Sequence, residues 1–400
     1  MKPLYLKGAA TLAVAALVGI GYQTAVAGES APGEPPASAA ASWKVAHHSE
    51  SLNAELTDVA AVSADEGWAT GTSQKDDGGG DPEQILLHRA GDEWKKSALP
   101  EGVGKGSVSQ VEASGPDNVW LFGQQAGDGA KPFAFRWDGE QWKPVDAPAS
   151  LDAWGKRSAA VLGPDDVWVL SGENRVNHWD GSAWTESELP ADATALGGSA
   201  PDDVWAVGFR DGSADGGEPL GQPAAMHWDG KAWKLEETPE YHFPDPAPPE
   251  ETASLDSVVS VSKDEVWAVG NHTFNHGEGG PEPEEERILL RWDGSKWKKA
   301  PADAADKATL ETASDGAGGL VLSRSAHMNA AGEIREIAKH KPVPGRSGKV
   351  EEVDKKQKFW PSETVLVPGT RQVWSAGVIE LGAYGDANFR RGAVLSHDTE

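Results

Sequence analysis

The 400-residue chain contains no cysteine. That excludes a small disulfide-stapled scaffold and a lipid anchor on an N-terminal cysteine. Positive charge is scarce. There are 36 Lys and Arg against 63 Asp and Glu, a net charge of −27 at pH 7 that becomes about −29 without Lys2 and Lys7. Such a surface repels nucleic acid and anionic lipid, so neither is expected as a partner. Long apolar runs are also missing: the one candidate, Ala9–Ile20, is shorter than a bilayer span needs. No H-E-x-x-H zinc motif, EF-hand loop, P-loop or G-x-S-x-G elbow occurs. Asp76–Asp81 (D-D-G-G-G-D) is acidic and turn-like but lacks the EF-hand spacing and its closing Glu. No cofactor is expected.

What is present begins with a targeting segment. Lys2, Lys7, the apolar stretch and Ala25-Val26-Ala27 read as a secretory signal peptide over 1–27 with an A-x-A cleavage site. Residues 28–39 are rich in Pro, Ala, Ser and Gly and read as a disordered linker. The expected product is a secreted, extracellular, monomeric protein formed by 40–400.

That remainder is repetitive. P-D-D-V-W-A-V-G (Pro201–Gly208) is followed by M-H-W-D-G-K-A-W-K (Met226–Lys234), and close variants recur along the chain. The first Trp of each phrase falls at Trp68, Trp120, Trp168, Trp205, Trp267 and Trp374. Most of these are about 40–60 residues apart, the period of a four-stranded sheet unit. In the fifth unit the strands read as Ser257–Ser262, Val266–Gly270, Ile288–Asp293 and Lys296–Ala300. One such sheet cannot cover both of its faces, whereas radial stacking buries both. The fold class expected is therefore all-β: a seven-bladed β-propeller of four-stranded antiparallel blades. Blade boundaries fall near 50–100, 101–150, 151–190, 191–243, 251–301, 302–350 and 360–400 plus 40–48. The sixth blade is degenerate and lacks the Trp pair; its strands are expected at Leu310–Ser314, Leu320–Arg324 and, third, Glu333–Lys339. The last blade is closed by the N-terminal strand: Gly392–Asp398 reads as a third strand with no fourth after it, and Ala41–Val45 resembles the missing one.

On these phrases the chain resembles exported bacterial β-propellers with D-V-W-A-V-G…W-D-G-x-x-W repeats, similar in architecture to WD-repeat and kelch-like proteins. The resemblance covers roughly 41–400 and implies architecture; propellers serve as enzymes, lectins and scaffolds alike. The W-D-G-x-x-W turn also faintly resembles the Asp-box of sialidases, but here Gly follows Asp directly.

Propeller connectivity puts the turns between strands one and two, and three and four, on one side of the disc. Those turns are short here. The connections between strands two and three, and from blade to blade, hold nearly all the insertions, including Gly71–Gln84, Phe209–Pro223, Pro239–Thr252 and Asn271–Arg287. Binding sites concentrate on such elaborated faces. The repeated Trp residues are expected to pack between blades. Trp154 and Trp360 fall outside the repeated phrase and are the candidates for ligand contact. Asp138, Asp180, Asp229 and Asp293 read as residues that hydrogen-bond the backbone of their own turns, rather than as a ring of carboxylates. His242, His272 and His276 could converge as a transition-metal site or be ordinary surface histidines.

With no catalytic constellation, the expected function is a secreted, non-enzymatic binding or scaffold protein. It would grip an extracellular protein or cell-wall polymer through the acidic long-loop face. Two alternatives stand: a secreted polysaccharide hydrolase or lyase with its site at the mouth of the central channel, and a lectin-like glycan binder.

Overall fold

A computed structural model describes residues 41–399, except 76–81, 128–129, 149–150, 152–158, 213–219, 246, 276–282 and 383–387. The expected signal peptide and linker lie outside these residues. The fold is all-β. Among the described residues there are six sheets, five of four strands and one of eight. The eight-stranded sheet consists of two antiparallel four-stranded runs joined by a single parallel contact, Gly221 with Thr252. We number the four-stranded runs as units one to seven along the chain.

Burial within a unit follows strand order. The second strand of unit four, Asp203–Asp211, is covered along its apolar half, as are Asn118–Gln124 in unit two and Asp166–Leu170 in unit three. Neighbouring sheets lie on both sides of these strands, so their residues are apolar without alternation. The fourth strands are the least covered: no residue of Trp233–Glu236 is buried, and Leu235 is exposed.

Each hydrophobic cluster draws on two successive units. Trp68 and Leu86 of unit one meet Val111, Leu121 and Phe135 of unit two. Units two and three, three and four, four and five, five and six, and six and seven share clusters in the same way. One further cluster joins Leu56, Val59 and Trp94 of unit one to Trp374, Ala376 and Val394 of unit seven.

The Trp pairs form the repeating contact in these clusters. The fourth-strand Trp of one unit stands edge-on against the second-strand Trp of the unit before it. Trp142 lies 5.2 Å from Trp68, Trp233 lies 5.5 Å from Trp168, and Trp297 lies 5.2 Å from Trp205, at interplanar angles of 75°, 87° and 90°. Trp94 of unit one meets Trp374 of unit seven in the same manner, at 5.3 Å and 72°. Each edge-to-face pair adds about 0.5–1.5 kcal/mol beyond its area burial.

The glycine of the D-V-W-A-V-G phrase has a separate cause. In units one, two, four, five and seven the first strand carries a β-bulge opposite it, at Leu56/Asp58, Val108/Gln110, Ala193/Ala195, Leu255/Ser257 and Pro361/Glu363. The bulge drives a backbone carbonyl onto Gly71, Gly123, Gly208, Gly270 and Gly377, where a Cβ would collide with it. The Asp-Gly turns behave as expected. Asp138 Oδ1 accepts from the N–H groups of Glu140 (3.0 Å) and Gln141 (2.9 Å), and Asp180, Asp229 and Asp293 repeat the arrangement. The following Gly has φ between 84° and 95° in all four turns.

The N-terminal strand Lys44–His48 pairs antiparallel with Phe389–Asp398, Lys44 opposite Ser396, and supplies the outer strand of unit seven. Trp43 is buried, lies 5.3 Å from His397, and donates from Nε1 to the carbonyl of Arg324 at 2.8 Å. Unit six differs from the expectation in one respect. Its third strand is Ala326–Met328, and the stretch read as third from sequence forms the fourth, Ile334–Glu336. The strand was missed because it is three residues long and follows the second after a two-residue turn.

Trp43→Ala removes a buried anchor and is expected to cost about 3–5 kcal/mol. Lys44→Ala, which loses only an exposed pair with Asp398, should be near neutral. Thermal denaturation of both variants checks this, and equal melting temperatures would contradict it. Gly270→Ala should destabilise by roughly 2 kcal/mol or more, whereas Gly382→Ala, with open space around its Cβ position, should not.

Candidate functional site

The repeated polar residues are structural. Asp203 accepts from Trp205 Nε1 at 3.2 Å and pairs with His227 Nε2 at 2.8 Å, and the His227 ring stacks on Trp205 at 4.3 Å. Asp166, Trp168 and His178 repeat the triad. Burial pushes the Asp203 carboxyl up, but His227, Ser199 and Trp205 together hold it below the ordinary carboxylate range. The partners are internal, so these Asp–His pairs fix the Trp and leave no reactive site.

Of the two ligand-contact candidates, Trp154 lies outside the described residues. Trp360 is 43% exposed, one of the few exposed large apolar side chains among the described residues. It stands at the start of the first strand of unit seven. The Arg324 guanidinium lies over its ring at 4.4 Å, and Lys358 Nζ is 5.8 Å from its centroid. Arg324 is held in place by donating from Nη1 to Phe359 O at 2.9 Å.

Trp360 forms one wall of a cleft of about 880 Å³. The other walls come from unit six and its approach: Asp306, Lys307 and Thr309–Glu311 before the first strand, the Ser323–Ser325 turn between strands two and three, and Ile334–Glu336. Arg287 enters from unit five. These segments lie at second-to-third turns and unit-to-unit links, the side that carries the insertions. A neighbouring cavity of about 480 Å³ shares Arg324, Ser325 and Glu336 and extends along Lys339 and Lys358.

The cations around this cleft escaped the sequence reading. The signal was available: residues 335–358 hold eight Lys and Arg against four Asp and Glu in a chain that is acidic overall. Much of this stretch is the ordered link from unit six to unit seven. Gln357 bridges Val343 through both its amide oxygen and its amide nitrogen, and Asp354 accepts from the Glu351 N–H at 2.8 Å.

A cavity of about 540 Å³ is lined by first-strand residues of units two to seven, including Glu112, Ala159, Leu196, Ser257, Ala313 and Glu363. Beside it, Asp58 Oδ1 accepts from Val59 N–H and Oδ2 from Val111 N–H, both at 2.8 Å. Burial pushes the Asp58 carboxyl well above the ordinary range, the Glu112 and Glu363 carboxylates push it further, and the two backbone donors oppose them.

Of the metal candidates, His276 lies outside the described residues. His272 is fully buried: Nε2 is 2.8 Å from Glu251 Oε1, and the ring stacks on Phe243 at 3.9 Å. His242 is exposed, 3.9 Å from the same Glu251 oxygen and 3.6 Å from Glu240. Among the described residues, no group of three or more His, Cys, Asp or Glu is placed to hold a metal ion. No described helix is long and apolar enough to cross a membrane.

No family model and no curated protein matches the chain. Among solved structures, the β-propeller domain of the Trilobed protease from Pyrococcus furiosus is 11% identical, with 87% of this chain and 96% of that one covered and a TM-score of 0.48. The lectin SapL1 in complex with α-methyl fucoside is 11% identical over 85% and 97%, at 0.41. The six-bladed β-propeller lectin of Aleuria aurantia is 13% identical over 62% and 78%, at 0.36.

Proposed function

We propose that the seven units close into a single β-propeller and that the protein is a secreted, non-enzymatic binding protein working through its elaborated face. The ring reading rests on the cluster shared by units one and seven, the Trp94–Trp374 pair and the cavity lined by six first strands. One observation carries the binding reading: the half-exposed Trp360 indole stands on the wall of an 880 Å³ cleft with a pinned guanidinium beside it. A large aromatic left open beside fixed polar groups is the arrangement of a recognition site. Trp360 has little to do for the fold there, since the strand it begins is already anchored by the buried Phe359. An extracellular protein or wall polymer is the expected partner.

Trp360→Ala is expected to leave the melting temperature within about a degree, because an exposed side chain contributes little. It should lower retention of the native extracellular ligand about tenfold or more in a pull-down from culture fluid. Trp154→Ala tested in parallel separates the two candidates, and unchanged retention in both would refute the reading.

A second reading, polysaccharide hydrolysis at the axial cavity, is favoured by the environment of Asp58. A carboxyl whose ionisation is disfavoured by burial and by two neighbouring carboxylates has the character of a general acid. Its linkage has a definite sign. The folded pKa is raised, so the penalty is absent below the ordinary value of 3.8, grows as pH rises, and is complete above the folded value. Glu363→Gln removes one repelling charge and retains an acceptor for the Thr364 N–H. The melting temperature should therefore rise by about 1–3 °C at pH 8 and stay level at pH 3. No turnover of any polysaccharide is expected from the purified protein. Turnover abolished by Asp58→Asn would reverse the order of the two readings.

A further inference from the structure

We infer that the cleft at Trp360 takes a carboxylated glycan, a chain bearing uronic-acid sugars. This rests on the binding reading and names the ligand class of the same site.

The first consideration is charge. Arg287, Lys307, Arg324 and Arg335 line the cleft, and Lys339 and Lys358 continue along the adjoining cavity. Six cations gather here in a chain whose formal charge is −27. Around this cleft the surface favours an anion, whereas the acidic loops elsewhere repel one, so the contrast directs an anionic chain to this groove.

The second is what faces the cations. Asp306, Glu311 and Glu336 share the cleft. A polymer of phosphodiesters would bring dense charge and few donors against these three carboxylates. A uronate chain brings one carboxylate per acidic sugar for the guanidinium and ammonium groups. It also brings hydroxyl donors for the cleft's own carboxylates to accept. Mixed lining of this kind is costly for a phosphate polymer and satisfied by an acidic sugar.

The third is the aromatic. A sugar ring has an apolar face that packs on an indole, and Trp360 retains 43% exposure even with Arg324 above its ring. An extended acidic peptide has no such face, which places it second to the glycan. Arg324 is fixed from two directions, by Nη1 to Phe359 O and by Trp43 Nε1 to its own carbonyl. Its guanidinium is therefore preorganised beside the indole, which reduces the entropy lost on binding.

The test is calorimetric titration of the full chain with oligogalacturonate, with a neutral galacto-oligosaccharide of equal length, and with inorganic polyphosphate. Oligogalacturonate is expected to bind, with affinity falling as salt rises; the other two are expected to bind at least tenfold more weakly. Lys307→Gln, an exposed position without a fold role, should weaken oligogalacturonate several-fold, and Arg324→Gln and Trp360→Ala about tenfold or more. Arg324→Lys, which keeps the charge and loses the planar donor fork, should retain part of the affinity, and melting temperatures report any loss of fold. Preference for the neutral sugar or polyphosphate, with Trp360 dependence intact, overturns the uronate assignment and leaves the binding reading standing. Capture of an extracellular protein through Trp360 with no glycan bound has the same consequence. Absence of binding to any probe, together with Trp360-independent retention in culture fluid, overturns both.

Discussion

The structure depends on one contact: in units one, two, three, four and seven the second-strand Trp is covered by the fourth-strand Trp of the adjoining unit. Each buried Trp removes about 150–250 Å² from water, worth up to roughly 4–6 kcal/mol by area. A lone four-stranded sheet would leave that surface exposed. The Trp therefore makes each unit depend on its neighbour, and stability becomes a property of the series rather than of any sheet. The polar groups serve the same end. Asp203 and Asp166 hold the indole N–H, and His227 and His178 stack on the ring face. In both triads one carboxylate oxygen takes the indole N–H and the imidazole together, so a buried polar network orients the apolar contact.

This contact explains why the fold was legible and the site was not. Trp, Asp-Gly and the strand-ending Gly recur because each meets the same constraint in each unit: an edge-on partner, a positive-φ turn, a bulged carbonyl overhead. A constraint met many times prints many times. The N-terminal strand was legible for the same reason, since Trp43-Lys44-Val45 copies the fourth-strand phrase and pairs where that phrase is missing. The cleft belongs to one place only. Arg324, Lys307 and Arg335 sit on three separate segments of unit six, and nothing in their spacing brings them together. Trp360 drew notice because it departs from the repeat. Its cationic neighbours had no pattern to depart from, and the only trace was a local charge balance over 335–358 opposed to that of the chain.

The histidines illustrate the converse. His272 and His242 drew notice by residue type. His272, in the second strand of unit five, is buried against Phe243 and Glu251 from the link that precedes that unit. A histidine that joins an aromatic stack to a buried carboxylate is part of what shapes that loop, and its chemistry is directed inward.

The cleft lies where the repeat fails, and the failure has a physical consequence. Strands of unit six run two, four, three and three residues, against eleven, nine, seven and three in unit five. A unit with short strands cannot raise a wall of full height, so space opens on the side of its second-to-third turn. Trp267 of unit five has no Trp from unit six upon it and shares its cluster with Ala304, Ala305, Ala308 and Met328 instead, while Arg291 lies over its ring at 5.3 Å, in the register position of His227 on Trp205. The lost Trp pair would weaken the series at this point. The buried Trp43, the Arg324 clamp and the ordered 337–357 link reinforce it from the unit seven side. Arg324, one of the residues that compensate for the short unit, thus also lines the opening it creates, and Trp43 lines the adjoining cavity. That coupling holds the Arg324 wall of the cleft in place through contacts the fold itself requires.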